Sequence, residues 1–177
     1  MTYNMTFETS IETPRLLLRP IMRYDAPMLH QALSDPAVMR YWSTPPHGAL
    51  RETEDWIAES TAAMARGDAH DFAVLHDGQV IGRVAFWMGD EIGFFFLRKA
   101  WGKGFAREAA AAVLRYGFDT LGFKQVRADV DPDNVASLRL LESVGFKRTG
   151  FAKNTLKVGE TWVDSVYLTL LPPDLSN

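Results

Sequence analysis

The run Trp101, Gly102, Lys103, Gly104, Phe105, Ala106 holds the residue types that most directly imply chemistry. Two glycines one residue apart let a backbone turn tightly and bring successive N–H groups to a bound group with no Cβ in the way. An apolar periodicity begins at Phe105 and marks a helix, whose first turn adds unsatisfied N–H donors and the positive end of its dipole. A pyrophosphate is the natural occupant of such a corner, and Lys103 and Arg107 add screened positive charge. The same glycine run also serves as a plain connection from a strand to a helix, and these residues alone leave both readings open. Two other phosphate loops are excluded. No Gly-Lys-Ser/Thr closes the turn, and a dinucleotide fingerprint needs glycine where Arg107 stands.

Few other polar groups have catalytic spacing. His30, His47, His70 and His76 share no metal-ligand pattern, so no metal is expected, and the nucleophile elbow Gly-x-Ser-x-Gly is absent. The chain has no cysteine, which excludes thiolate zinc sites, a Cys nucleophile and a disulfide framework. Lys and Arg number 19 against 22 Asp and Glu, a net charge of −3 that leaves no electrostatic footprint for nucleic acid or an anionic membrane. Glu8, Glu12 and Arg15 interrupt the apolar runs near the start, and no stretch approaches the ~18 apolar residues of a membrane span. A soluble, cytoplasmic protein is expected. Its composition, 47% hydrophobic and 23% charged over 177 residues, suits a single domain (1–177) with a self-sufficient core over about 13–171.

Positioning the glycine run requires elements on both sides of it. Alternation predicts a first strand over 13–19, and helical spacing predicts a helix over 25–33 with Asp25 as N-cap and Pro27 in the first turn. A second helix is predicted over 52–66, closed by Gly67, with Glu52, Glu54, Asp55 and Glu59 on a solvated face. Strands over 72–75 and 80–87 are joined by Asp77 and Gly78, residues that tolerate the positive φ of a tight hairpin turn. The strand over 92–97 is almost wholly aromatic or aliphatic, so both of its faces should be covered. The long helix over 105–121 ends at Gly122, and a strand follows over 126–130. A short helix from about Asn134 to Val144, closed by Gly145, and strands over 146–151 and 163–170 complete the chain. This order implies an α+β fold with a mixed sheet, helices on its faces, and a parallel pair formed across the long helix. Trp42, Trp56, Trp87 and Trp162 are expected mostly in the core.

The chain resembles the GNAT superfamily of acetyl-CoA-dependent N-acetyltransferases, whose phosphate loop reads Gln/Arg-x-x-Gly-x-Gly/Ala. Gly104, Phe105 and Ala106 match, with Trp101 in place of Gln or Arg. That departure, followed by Glu108 and Ala109, is similar to the subgroup containing the ribosomal-protein N-terminal acetyltransferases. Thr13, Arg15, Leu16, Leu18, Arg19 and Pro20, then Asp35, Pro36, Val38, Met39, Arg40 and Tyr41, echo the same subgroup. Asn134, Ser137, Glu142, Gly145 and Phe146 resemble its second signature. The resemblance implies a mostly antiparallel central sheet splayed between its fourth and fifth strands, leaving a cleft for the pantetheine arm. It implies that backbone groups of Phe95, Phe96 and Leu97 face that arm, while their side chains belong to the core. It further implies that residues 102–107 hold the pyrophosphate of acetyl-CoA and that Asn134 binds the CoA arm or orders a water. Relatives often pair, so a homodimer is an open expectation.

Acetyl transfer to an amine needs the amine neutral and a proton for the departing thiolate. Glu91 lies ten positions before Trp101, close to where the superfamily carries its general-base glutamate, and burial beside Trp87 and the phenylalanine run would raise its pKa toward working pH. An exposed Glu91 after the Gly89, Asp90 turn is the alternative. Where the superfamily usually places a tyrosine acid this chain has Leu141, so the resemblance passes the role to Ser137, on the helix face of Asn134. A helix serine bonded back to a carbonyl, and Asn134 as a helix cap, are the plain structural alternatives. Near pH 7.4, presenting a neutral lysine costs about 3.5 kcal/mol more than presenting a neutral α-amine, so one modest base suits an N-terminus better. A peptide N-terminus is the expected acceptor, with a small-molecule amine (polyamine, amino sugar or antibiotic) as the alternative. An acyl-CoA-binding sensor without turnover and a nucleotide-binding protein are the rival classes.

Overall fold

A computed structural model describes residues 9–173. Its strands are β1 (Ile11–Glu12), β2 (Leu17–Pro20), β3 (Ala69–His76), β4 (Gln79–Trp87), β5 (Glu91–Phe96), β6 (Val126–Val130), β7 (Lys147–Val158) and β8 (Thr161–Leu170). The α-helices are α1 (Ala26–Leu33), α2 (Leu50–Arg66), α3 (Phe105–Asp119) and α4 (Val135–Ser143). The strands form one sheet in the order β1-β2-β3-β4-β5-β6-β8-β7, antiparallel except between β5 and β6. No helix among the described residues is long and apolar enough to cross a membrane.

The predicted strand over 13–19 is instead a small hairpin. Pro14 follows Thr13, whose N–H donates to the Leu16 carbonyl at 2.9 Å, so the chain turns and Ile11 pairs with Leu18. Asp25 precedes α1 but does not cap it with its side chain. Its carboxylate takes a bidentate pair from Arg19 at 2.7 and 2.8 Å and the Met22 N–H at 2.8 Å, charge-assisted bonds that outcompete a neutral cap. Helix α2 begins two residues before its predicted start, where Glu52 accepts from the N–H groups of Gly48 and Ala49. It buries Thr53, Ile57, Ser60 and Ala63 at three- and four-residue steps, and Gly67 ends it at φ 78°. The hydroxyl of Thr53 lies 2.8 Å from Nδ1 of both His30 and His47, which ties the loop before α2 to α1.

Two apolar clusters cover the two faces of β5, as its unbroken hydrophobic sequence requires. Ile92 and Phe96 join Phe86, Val113, Leu114 and Leu141 on the side of α3 and α4. Phe95 joins Leu29, Leu33 and Ile57 on the side of α1 and α2.

The feature that matters for function lies between β5 and β6. They share a single registered pair, Glu91 with Arg127, held by Arg127 N–H to the Asp90 carbonyl at 2.8 Å and by Arg127 Nε to Asp90 Oδ1 at 2.7 Å. No later residues of the two strands pair. These are the two strands expected to splay; the short Ile11–Glu12 strand shifts their ordinal numbers by one. The β7–β8 hairpin runs well past the predicted limits, to a turn at Gly159 and Glu160.

Candidate active site

Gly102 and Gly104 adopt φ of 71° and 79°, the left-handed region that glycine enters without a Cβ penalty. A Cβ at Gly102 would meet nothing within 4 Å, and one at Gly104 would meet only Arg15 Nη2, at 3.3 Å. Gly104 is the N-cap of α3 and no side chain caps the helix. The first intrahelical bond runs from Glu108 N–H to the Gly104 carbonyl at 3.1 Å, which leaves the N–H groups of Phe105, Ala106 and Arg107 as unpaired donors in the first turn. Three aligned donors, the dipole of a 15-residue helix and two glycines that leave the backbone open fit an anionic phosphate group.

The side chains around the loop divide its labour. Lys103 is exposed beside it, whereas Arg107 reaches away, with Nε 3.2 Å from Ser143 Oγ at the end of α4, so Arg107 offers the loop its backbone N–H. A clamp beneath the loop was not foreseen from sequence. Arg15 bonds Glu108 through Nε at 2.7 Å and the Lys103 carbonyl through Nη1 at 2.9 Å, and its guanidinium lies 4.6 Å from the Phe105 ring centre. Thr13 Oγ1 donates to the other Glu108 oxygen at 2.6 Å. Against the opposing effect of burial, these hydrogen bonds hold the Glu108 carboxyl below its ordinary pKa. No spacing rule links positions 13 and 15 to 108, so only the tertiary fold reveals the clamp.

The open edge of β5 leads from the loop back to Glu91. Leu97 N–H donates to the Ile81 carbonyl at 2.8 Å while its own carbonyl accepts from Ala100 N–H at 2.8 Å, so strand alternation turns the backbone groups of Phe95 toward β4 and those of Phe94 and Phe96 toward the gap. Of the three residues named for the pantetheine arm, Phe96 alone presents its backbone there, and its carbonyl accepts from Trp101 Nε1 at 3.0 Å. All three side chains are buried.

Glu91 stands where the gap closes, opposite Trp87 on β4 and Arg127 on β6. It is half-buried. Burial, assisted by Asp129 and Asp90 and opposed by Arg127, pushes its carboxyl above the ordinary value. Across the gap, α4 follows β6. Asn134 caps it, Oδ1 accepting from Ser137 N–H at 3.2 Å, which leaves the amide NH2 for another partner. The Ser137 hydroxyl is partly buried and makes no hydrogen bond among the described residues, so it is not bonded back to a helix carbonyl. Leu141 is 1% exposed and belongs to the main core.

Trp42 and Trp56 pack their rings 5.4 and 6.0 Å from Phe95 and remain partly exposed, while Trp87 and Trp162 lie at the surface. The tryptophans therefore surround the core rather than fill it. A depression of about 250 Å³ on the outer side of α2, near Arg23, Arg51 and Asp55, lies away from both the loop and the gap.

Residues 15–147 match the family described as Acetyltransferase (GNAT) domain. The uncharacterized N-acetyltransferase p20 of Bacillus licheniformis is 33% identical over 170 residues, 92% of this chain and 96% of its own. The crystal structure of a GNAT-family acetyltransferase from Bacillus anthracis superposes with a TM-score of 0.82 at 29% identity, over 92% of this chain and 98% of that one. Spermidine N-acetyltransferase from Vibrio cholerae, in complex with CoA and spermine, shares the fold with a TM-score of 0.79 at 22% identity, over 90% and 96% of the two chains. Together with the splayed strands and the glycine loop at the uncapped helix, these matches identify the chain as a member of the GNAT family, an acetyl-CoA-dependent N-acetyltransferase.

Proposed function

We propose that this enzyme acetylates the α-amine of a peptide or protein N-terminus, with Glu91 as general base. The observation that carries the reading is the position of Glu91, a carboxyl raised by burial at the closed end of the gap. A raised carboxyl remains a modest base, and an α-amine, with a reference pKa of ~7.7–8.0, demands far less of it than a lysine at ~10.4. The resemblance of the opening residues and of the second signature to ribosomal-protein N-terminal acetyltransferases supports the same acceptor.

Residues 102–107 hold the pyrophosphate through the N–H groups of the first turn of α3, and Phe94 and Phe96 offer the open edge of β5 to the pantetheine arm. Acetyl-CoA supplies the acetyl group as a thioester. Glu91 accepts the proton that the ammonium must lose, directly or through a water, and the acidic neighbours Asp90 and Asp129 favour an approaching cation. Ser137, with its hydroxyl otherwise unengaged, donates a hydrogen bond to the departing sulfur as the C–N bond forms and the C–S bond breaks, and the proton shed by the new amide nitrogen passes to the thiolate directly or through a water.

A small polyamine is the second reading, favoured by the Vibrio cholerae enzyme whose crystals contain spermine. Release of free thiol from acetyl-CoA, followed with peptides bearing a free N-terminus, N-blocked lysine peptides, spermidine and amino-sugar drugs, separates the readings. Free-N-terminus peptides should give the highest kcat/KM. Turnover confined to spermidine would replace the proposal with the second reading, and tight acetyl-CoA binding with no acceptor-dependent release would make the protein a sensor.

A further inference from the structure

A buried ion pair lies on the same face of the sheet as Glu91 and takes no part in the chemistry above. Arg83 on β4, 5% exposed, donates from Nε and Nη2 to the two oxygens of Asp71 on β3, each at 2.7 Å. Asp71, 1% exposed, also accepts from Ser60 Oγ of α2. Such pairs add little stability over apolar residues of the same volume, so folding alone does not account for it.

Directly opposed residues of antiparallel strands share a face. The register sets Arg83 opposite Phe95, Ala85 opposite Gly93 and Trp87 opposite Glu91. Between Glu91 and Phe95 the patch therefore holds only glycine and alanine. A Cβ placed at Gly93 meets a single atom within 4 Å, Arg83 Nη1 at 3.8 Å. Nη1 is the guanidinium nitrogen not spent on Asp71, and it makes no hydrogen bond among the described residues. No fully buried side-chain N or O atom among those residues lacks a partner, so Nη1 is not fully buried, and it lies beside the space over Gly93. Asp71 fixes the plane of the group and Trp56 covers it, 5.2 Å from ring centre to Cζ.

We propose that Arg83 determines acceptor specificity by donating from Nη1 to a carbonyl or carboxylate oxygen next to the amine that Glu91 serves. Same-face positions on a strand lie about 7 Å apart. One α-amino acyl unit with a hydrogen bond at each end covers that span, its nitrogen toward Glu91 and its oxygen over Gly93. The acceptor class is then a peptide N-terminus or an amino-acid derivative. An alkyl polyamine has no oxygen to offer and leaves the donor unpaired. A guanidinium already held by a bidentate partner loses little further freedom on binding, which suits it to reading such an oxygen.

This inference rests on the α-amine reading, and its test separates the two. Thiol release is measured for alaninamide and for isopropylamine, amines of similar size with and without the oxygen. Arg83→Met alone would strand the Asp71 charge, so the variant is the double Asp71→Asn, Arg83→Gln, with thermal unfolding confirming its fold. The ratio of kcat/KM for alaninamide to that for isopropylamine should fall about 10- to 100-fold in the variant, the range for losing a hydrogen bond to a charged group. An unchanged ratio, even with both rates lowered, makes Arg83 structural and overturns the proposal. Calorimetric titration of alaninamide into the CoA-saturated proteins reads the same contact without turnover. Affinity should fall by a similar factor, and equal affinities or no binding to the wild type also overturn the role of Arg83. A wild type that turns over no acceptor overturns the transferase reading separately.

Discussion

Gly104→Val places a branched side chain where the loop turns into α3, and two effects of different origin follow. The backbone there sits at φ 79°, which costs an L residue about 1–2 kcal/mol. The new Cβ would lie 3.3 Å from Arg15 Nη2, so the clamp on Glu108 and Lys103 must shift slightly. For a chain of this size the ligand-free protein should therefore lose roughly 3–8 °C of melting temperature. Acetyl-CoA at about 100 times its Kd should stabilise the wild type by about 2.7 kcal/mol, or roughly 5–10 °C. If the valine keeps phosphate from the first-turn N–H groups and lowers affinity about 100-fold, the same concentration stabilises by only about 0.4 kcal/mol, roughly 1 °C. Gly67→Val is the control. Gly67 has nearly the same φ, 78°, with nothing within 4 Å of its Cβ, and it closes α2 away from the loop. It should carry the strain and keep the full ligand shift. Scanning calorimetry of the three proteins with and without acetyl-CoA reads both effects. A folded Gly104→Val protein with the wild-type ligand shift would refute the assignment of the loop.

Glu91→Gln should remove the acid limb of the kcat/KM profile and lower the rate while leaving acetyl-CoA affinity close to wild type; an unaltered profile would make Glu91 structural. Because the folded Glu91 carboxyl titrates above its unfolded counterpart, its contribution to stability is present below the unfolded pKa and is lost as pH rises through the folded one. Glu91→Gln should therefore gain stability relative to wild type across that window in urea unfolding, and a gap that stays constant with pH would contradict the raised carboxyl. Ser137→Ala should slow acetyl transfer more than it weakens acetyl-CoA binding, by up to about 100-fold where pre-steady-state kinetics show chemistry limiting. Full turnover in that variant would leave water as the proton source. Gly117→Ala should destabilise by about 1–3 kcal/mol despite the better helix propensity of alanine, because its Cβ would lie 2.7 Å from Phe86 Cζ inside the core; an unchanged unfolding midpoint would show that Phe86 can move.

Much of the local geometry around the candidate site was legible because local rules govern it. The positive φ at Gly102 and Gly104 follows from residue type, as does the Asp77, Gly78 turn at φ 48° and 74°. The β6 limits, 126–130, follow from alternation. The raised Glu91 carboxyl follows from the apolar residues around it. Other features needed the tertiary fold. Whether Asp25 caps a helix or pairs with Arg19 depends on which partner offers the stronger bond, and Arg19 is six residues away on another element. The far half of the β7–β8 hairpin escaped notice because Lys153, Asn154, Thr155 and Lys157 show no apolar alternation, and Asn154 at φ 53° sits where the register slips. The direction of each β5 backbone group depends on its register with β4, so a sequence naming Phe95, Phe96 and Leu97 together cannot tell which one faces the gap. Arg83 and Asp71 lie twelve residues apart on neighbouring strands, a pairing visible only through the hairpin register.

The most direct test of the account gives the enzyme a single peptide that carries both a free N-terminus and a lysine, together with acetyl-CoA, and locates the transferred acetyl group by fragmentation mass spectrometry. The account predicts acetyl on the N-terminal α-amine, with lysine unmodified. Acetyl on the lysine side chain, or a peptide left unmodified while spermidine is acetylated, would contradict it.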